Sequence, residues 1–229
     1  YSYSTLPDIA TVNRYFKQIG LIPERMPKKD LPKSTPSTVR YCHDRWEMDA
    51  QGAVQTLGLD YVVIINIKDT KSKAYIMSFP VMVNSRNHQP KTIHYQWALR
   101  LAFIEWGLPK VIQVDKDSVF HSNSTSSPFP TLFHLWLLSL GVKLNFIEHP
   151  PPIENAMVER SHQTIDRQVL QGRSYSCWKE LWVSCQKRRD LLNRIQVNPH
   201  AKSKPAFVAF PNIIKNRRKY QIENESEQM

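Results

Sequence analysis

Cysteine is scarce in this sequence. Only Cys42, Cys177 and Cys185 occur among its 229 residues, and no two of them form a CxxC pair. An odd number of cysteines without close pairs excludes a disulfide framework and a zinc knuckle as the basis of the fold. Because disulfides are rare in reducing compartments, a cytosolic protein is the simple expectation.

Long hydrophobic runs are also missing. No apolar segment approaches the ~20 residues that a membrane-spanning helix needs. The first residues, YSYSTLPDIATVNRYF, lack the basic-then-apolar pattern of a signal peptide. We therefore expect a soluble, cytoplasmic protein with no membrane partner.

Positive charge is abundant. The chain has 31 Lys and Arg against 20 Asp and Glu, which gives a net charge of +11. This excess favours a polyanionic partner, most often nucleic acid. The alternative is a basic but otherwise inert soluble protein. The length suits one domain with a sizeable core and small additions.

Hydrophobic periodicity predicts alternating strands and helices. Runs such as YVVIINI (61–67) predict strands, and IHYQWALRLAFIEWG (93–107) has helical spacing. Strands are predicted at 45–54, 61–67, 74–83, 110–115 and 142–147. Helices are predicted at 8–19, 93–107, 131–141, beyond residue 155 and at about 177–195. The order β-β-β-α-β-α-β-α-α indicates an α/β fold with a mixed five-stranded sheet and helices on both faces.

Composition divides the chain into four parts. Residues 1–23 form an N-terminal helical fragment, and the proline- and lysine-rich residues 24–40 form a linker. The α/β core is expected at 41–198, and residues 199–229 form a basic C-terminal extension.

Three acidic residues lie on elements that could meet. Asp49 is in the first predicted strand, Asp115 ends the fourth, and Glu159 begins the helix after the fifth strand. If the first and fourth strands are neighbours, the first two acids converge, and the helix has only to cross that edge. Clustered carboxylates repel one another unless cations neutralise them. Two Mg²⁺ or Mn²⁺ ions would do so and would support displacement at phosphorus. A separate alternative for Glu159 is an acid placed at a helix start, with Asn155 as N-cap.

Three segments resemble the signature segments of the retroviral-integrase superfamily. RWEMDA is similar to its Trp-x-x-Asp strand, VIQVDKDSVFHS to its Asp-Asn-Gly-Ser-x-Phe turn, and PPPIENAMVERSHQTI to its Pro-x-x-Asn-Gly-x-Val-Glu-Arg segment. PHAKSKPAFVAFP resembles the segment that closes bacterial insertion-sequence transposase cores. The resemblance implies an RNase H-like fold, a DDE transposase/integrase activity, and catalytic, metal-binding roles for Asp49, Asp115 and Glu159.

The sequence departs from the family pattern at several positions. Lys116-Asp117 replaces Asn-Gly after the second acid, and Asp117 is a possible spare ligand. The segment between Asp115 and Glu159 is longer than usual, which the polar loop 121–130 can absorb. Gln163 and Asp166 stand where relatives often carry basic residues. An inactive or specialised member is therefore an open alternative.

Basic residues concentrate after Val158. Those expected to contact phosphates are Arg160, Arg167, Arg173, Lys187, Arg188, Arg189, Lys215, Arg217 and Arg218. The alternative is a solvated helix face.

His162 has two open interpretations. It could contact DNA or the scissile phosphate, or it could be a surface histidine. The N-terminal helix is similar to the last helix of a helix-turn-helix module.

The expected function is that of a DNA transposase or integrase core. Such a polynucleotidyl transferase cleaves mobile-element ends and joins them to target DNA, as a homo-oligomer that would be associated with the nucleoid in a bacterium. Two alternatives remain open. One is an RNase H-like nuclease that only hydrolyses, and the other is a non-catalytic DNA-binding relic of a transposase.

Overall fold

A computed structural model of the chain describes residues 9–19, 39–117, 119–120, 130–147, 156–197 and 203–222. The chain divides into two compact units, residues 1–37 and 38–229. Of the first unit, the structure describes helix α1. Several predicted features lie outside the described residues, namely most of the linker 24–40, Ser118, most of the loop 121–130, the prolines 150–152, Asn155 and residues 198–202.

The predicted strands and helices are all found, with small shifts at their ends. The strands are β1 (Arg45–Gln55), β2 (Tyr61–Asp69), β3 (Tyr75–Val83), β4 (Val111–Val114) and β5 (Lys143–Phe146). The helices are α1 (Ile9–Gln18), α2 (Thr92–Trp106), α3 (Leu132–Ser139), α4 (Ala156–Ile165), α5 (Trp178–Ile195) and the short α6 (Ala206–Ala209). Helix α4 continues into a π-helical turn, Asp166–Leu170.

The five strands form one mixed sheet in the order β3-β2-β1-β4-β5. Strands β1, β2 and β3 make an antiparallel meander, since each is joined to the next by a short turn. Strand β4 pairs with β1 in parallel, and β5 pairs with β4 in parallel. The prediction of a mixed five-stranded sheet is confirmed. The first and fourth strands are neighbours, which was the condition for their acids to converge.

Helices pack on both faces of the sheet. On one face, Met48 and Ile67 join the cluster that contains Leu99 and Phe103 of α2. On the other face, Ile64 belongs to a second cluster with Ile165 of α4. The two faces follow from the period-2 alternation of side chains along β1 and β2. Burial of each such apolar side chain stabilises the fold by about 1.5–3 kcal/mol.

Helix α5 closes the edge of the sheet at β3. The Tyr75 backbone N–H donates to Oδ1 of Asn193, and Nδ2 of Asn193 donates to the Tyr75 carbonyl, both at 2.8 Å. Arg189 donates to the carbonyl of Ile76, and Gln186 to that of Ser78. These side chains satisfy backbone groups that would otherwise be open to pairing with another chain.

Residues 203–222 pack on the same core as the sheet. Ile213 is buried, and Nε2 of His43 donates to its carbonyl at 2.6 Å. The Leu108 N–H donates to the Arg218 carbonyl at 2.8 Å. The described part of the predicted C-terminal extension is therefore integrated with the strands. Within the described residues, no helix combines the length and apolar character needed to span a bilayer.

Candidate active site

The register of β1 and β4 sets Asp49 and Asp115 level with each other. Glu47 pairs with Gln113 across the two parallel strands. Asp49 and Asp115 each lie two residues farther along, and Asp115 directly follows the last residue of β4. Because side chains alternate along a strand, the two acids extend from the same face of neighbouring strands, which are ~4.8 Å apart.

The pKa of Asp49 depends on its burial and on the charges around it. The pKa of the Asp49 carboxyl is raised to about 6, mainly by burial and also by the negative charges of Asp115, Glu159 and Asp117, while the hydrogen bond from the Ala50 N–H lowers it. That N–H donates to Oδ1 of Asp49 at 2.8 Å. The Asp49 carboxyl thus interacts electrostatically with both other predicted acids, Asp115 and Glu159.

Helix α4 brings Glu159 to this edge of the sheet. Val158, Ser161 and Ile165 are fully buried, so this stripe of the helix faces the sheet. Glu159 and His162 each follow a buried residue and lie on the flank of that stripe. Glu159 is exposed in the first turn, where the helix dipole favours a carboxylate.

His162 lies beside Asp49. Its Nε2 is 3.9 Å from Oδ2 of Asp49, which is too long for a hydrogen bond. Burial lowers the pKa of the imidazole to about 4, so the ring is neutral at pH 7 and the contact is not an ion pair. Nε2 is buried and has no hydrogen-bond partner among the residues that the structure describes. His162 is therefore a partly buried residue beside Asp49, and not a surface histidine.

A tight turn follows Asp115 although glycine is absent there. The Asp117 N–H donates to the Asp115 carbonyl at 2.8 Å, and the Val119 N–H donates to Oδ1 of Asp117 at 3.2 Å. Asp117 is half-buried, and its charge reaches Asp49. The position of Asp117 is thus compatible with its predicted possible role as a spare ligand.

The three predicted acids suit hard divalent cations by their chemistry. Carboxylate oxygens are the ligands that Mg²⁺ prefers, and grouped carboxylates need a cation to offset their repulsion. Among the residues that the structure describes, no three His, Cys, Asp or Glu side chains stand close enough together to hold a metal ion as they lie. The acids share one edge of the sheet without forming a ready-made chelate.

Solved structures share this architecture. The chain resembles the HTLV-2 integrase catalytic core domain in complex with magnesium, with a TM-score of 0.51 and 17% identity over 73% of this chain and 95% of that one. It has the RNase H-like fold of a retroviral integrase catalytic core.

Two other solved structures agree with this fold. BIV integrase's catalytic core matches with a TM-score of 0.50 and 10% identity, over 82% of this chain and 99% of that one. A chain of the simian T-cell lymphotropic virus intasome, in complex with PP2A regulatory subunit B56 gamma, matches with a TM-score of 0.50 and 16% identity, over 79% of this chain and 57% of that one. No family model matches the sequence. At such identities the likeness concerns the fold.

A pair of ionisable side chains is buried near Asp49. Glu47 and Lys68 are opposite each other on β1 and β2, and only 4% and 5% of their surfaces are exposed. Burial raises the pKa of Glu47 to about 7, against the pull of Lys73, Arg45 and Lys68. Burial also lowers the pKa of Lys68 to about 7. Alternation along β1 puts Glu47 on the face of Asp49, but the sequence alone does not pair it with Lys68.

Most of the residues that were predicted to contact phosphates are accessible. Arg188 is half-buried, and the exposed ones are Arg160, Arg167, Arg173, Lys187, Lys215 and Arg217. Arg189 is a correction to the prediction. It is 5% exposed, and its guanidinium donates to Glu105 at 2.7 and 2.8 Å and to the Ile76 carbonyl at 3.1 Å. Its donors are therefore used inside the fold.

The guanidinium of Arg218 is also largely engaged in hydrogen bonds within the protein. Arg218 is half-buried, and its guanidinium donates to the carbonyls of Pro109 and Gly141. This side chain ties the C-terminal segment to the loops beside β4 and β5. It has less capacity for phosphate contact than Lys215 or Arg217.

Proposed function

We propose that this chain is the catalytic core of a DNA transposase or integrase, which cleaves the ends of a mobile element and transfers the strands to target DNA. The proposal depends above all on one observation. Asp49 and Asp115 are level on neighbouring parallel strands, and the charge of Glu159 on α4 reaches Asp49. The fold of retroviral integrase cores supports the same reading.

Asp49, Asp115 and Glu159 would hold two Mg²⁺ or Mn²⁺ ions. When bound, such ions activate a nucleophilic oxygen and stabilise the leaving oxygen in displacement at phosphorus. The integrase core of HTLV-2 is described in complex with magnesium. The carboxylates here supply the negative charge and oxygen donors, and the half-buried setting of Asp49 limits competing water.

The remaining residues of the proposed site bind and orient DNA. Exposed Arg160 follows Glu159 on α4 and would contact a phosphate beside the scissile bond. Exposed Arg167 and Arg173 extend this cationic surface beyond the helix. Such contacts give affinity that depends on salt and not on sequence. End cleavage and strand transfer are both phosphoryl transfers, so one site serves both. Because two DNA ends must be joined in concert, the chain would act as a homo-oligomer on DNA.

A non-catalytic DNA-binding relic is the second candidate. One observation favours it, since the described side chains form no group that is ready to hold a metal ion. A relic of this kind would keep the cationic surface and lose metal-dependent activity.

A strand-transfer assay separates the candidates. Labelled DNA ends are incubated with the protein, a target plasmid and Mg²⁺ or Mn²⁺. Joined products support the proposed function, and hydrolysis without joining indicates an RNase H-like nuclease. DNA binding without either product indicates the relic. The ends are supplied as a randomised library, and joined molecules are recovered by sequencing.

A further inference from the structure

A cavity of about 860 Å³ lies at the end of the sheet opposite to the acids. It is lined by residues before β1, by Lys110 before β4 and by the C-terminal segment 209–218. Strand β4 separates it from Asp115, and its four residues span ~13 Å. The cavity, called here the Tyr41 cavity, is therefore distinct from the proposed active site. Its volume is within the ~300–1,000 Å³ typical of ligand pockets.

The charge around the Tyr41 cavity is positive. Of the described residues that line it, Lys110, Lys215, Arg217 and Arg218 are basic and Asp44 alone is acidic. Asp44 is already neutralised, because Nζ of Lys110 lies 2.7 Å from its Oδ1. Lys215 and Arg217 are exposed, and neither forms an ion pair within the described part of the chain. The cavity therefore complements an anion.

An aromatic ring is held at the mouth of this cationic cavity. Tyr41 is 69% exposed, and the ammonium of Lys110 lies 5.9 Å from its ring centroid. The Tyr41 backbone is fixed by a turn, since its N–H donates to Oδ2 of Asp44 at 2.8 Å. The ring is thus presented to solvent by a constrained backbone. An exposed aromatic beside cations can stack a base while the cations bind phosphates.

We propose that the Tyr41 cavity binds an unpaired stretch of nucleic acid, with a base stacked on Tyr41 and phosphates against Lys215 and Arg217. The inference rests on the proposed function and extends it, since it gives DNA a second contact beyond the acids. A short single strand leaving the active-site edge can span the length of β4. An acidic protein segment is the competing occupant, and the experiment below includes it.

Binding measurements on the full chain test the stacking contact. Fluorescence anisotropy with a labelled oligothymidylate gives the affinity of the wild type and of Tyr41 variants. Tyr41→Ala is expected to weaken binding roughly 5- to 150-fold, whereas Tyr41→Phe keeps the ring and stays within about twofold of the wild type. Neither variant should unfold the protein, because the ring is largely exposed.

The salt dependence of binding tests the phosphate contacts. The double variant Lys215→Gln/Arg217→Gln is expected to reduce the slope of log affinity against log salt by about 1.4, from ~0.7 per phosphate on a single strand. A matched control, Lys179→Gln/Arg194→Gln, removes two exposed charges from α5 outside the cavity. This control should leave the slope closer to that of the wild type.

Crosslinking locates the bound base. An oligonucleotide that carries 5-iododeoxyuridine is irradiated with the protein, and the modified peptide is identified by mass spectrometry. A crosslink at Tyr41 supports the inference.

If oligonucleotide binding is intact but independent of Tyr41, Lys215 and Arg217, with crosslinks elsewhere, the inference fails while DNA binding stands. If the wild type binds no DNA of any kind, the proposed function fails with it. Tyr41-dependent binding of a labelled polyglutamate peptide instead of the oligonucleotide assigns the cavity to an acidic protein.

Discussion

Nε2 of His162 lies 3.9 Å from Oδ2 of Asp49. This contact joins the helix that carries Glu159 to the strand that carries the first acid. Helix α4 is held there by Val158 and Ile165, which are fully buried against the sheet. The position of the third acid therefore depends on hydrophobic packing one residue away from it.

Removal of the second acid is expected to separate catalysis from binding. Asp115→Asn keeps the size of the side chain but removes the charge needed to hold a divalent ion. We expect loss of cleavage and joining by at least about 100-fold, with DNA affinity within about twofold of the wild type. Parallel strand-transfer and anisotropy assays measure both quantities. Activity near the wild-type level in this variant would show that Asp115 has been given the wrong role.

Removal of the first acid is expected to stabilise the metal-free protein. The pKa of Asp49 is raised from 3.8 to about 6, so the folded state binds more protons than the unfolded state between these values. Stability from this group is present below pH 4 and is lost as pH rises through 6. Asp49→Asn should therefore gain on the order of 1 kcal/mol over the wild type at pH 7.5, and almost nothing at pH 4.

Urea denaturation in the presence of a chelator measures this difference at the two pH values. Asp60→Asn is the matched control, because Asp60 is an exposed acid outside the site. The control alters an exposed position and should change the free energy of unfolding by less than about 0.5 kcal/mol at either pH. Equal effects of both substitutions would argue that neither burial nor the neighbouring acids destabilise the charged form of Asp49.

Arg189 is expected to act in stability and not in DNA binding. Arg189→Ala leaves Glu105 without its partner and removes a donor to the Ile76 carbonyl. A loss of about 3 kcal/mol in the free energy of unfolding is expected, since a partly buried ion pair is broken. Arg194→Ala, on the exposed side of α5, should change it by less than about 0.5 kcal/mol. The salt dependence of DNA binding by folded Arg189→Ala should equal that of the wild type, and a smaller slope would restore Arg189 as a phosphate contact.

Asn193 is expected to need both its donor and its acceptor. Asn193→Asp keeps the oxygen that accepts from Tyr75 but places a second oxygen against the Tyr75 carbonyl. Asn193→Ala removes both bonds. Each variant should lose about 1–3 kcal/mol, with Asp the worse of the two at pH 7. Chemical denaturation gives these values, and faster hydrogen exchange at the Tyr75 amide would locate the effect at the sheet edge. Unchanged exchange there would contradict this role.

Much of the fold follows from local patterns. The β-branched run of β2 and the helical spacing of α2 identify their elements because both bury apolar faces. The order of elements further indicates the mixed sheet. Convergence of the acids was conditional on the pairing of β1 with β4, which no local pattern specifies.

The remaining features depend on contacts between distant residues. Arg189 resembles its exposed neighbours in sequence, and its burial is decided by Glu105 on another helix. The placement of His162 follows from burial of the adjacent Ser161. Glu47 and Lys68 become neighbours only through the register of β1 and β2. These are tertiary contacts, which cannot be predicted from residue type or spacing alone.

The proposed function requires that Asp49, Asp115 and Glu159 together hold divalent ions. A crystal structure of the protein with Mn²⁺ and a DNA end, with anomalous data, tests it most directly. We expect anomalous peaks contacted by carboxylate oxygens of all three residues. Contradiction would come from well-ordered acids that contact no ion under conditions in which Mn²⁺ saturates the protein, or from manganese bound only elsewhere.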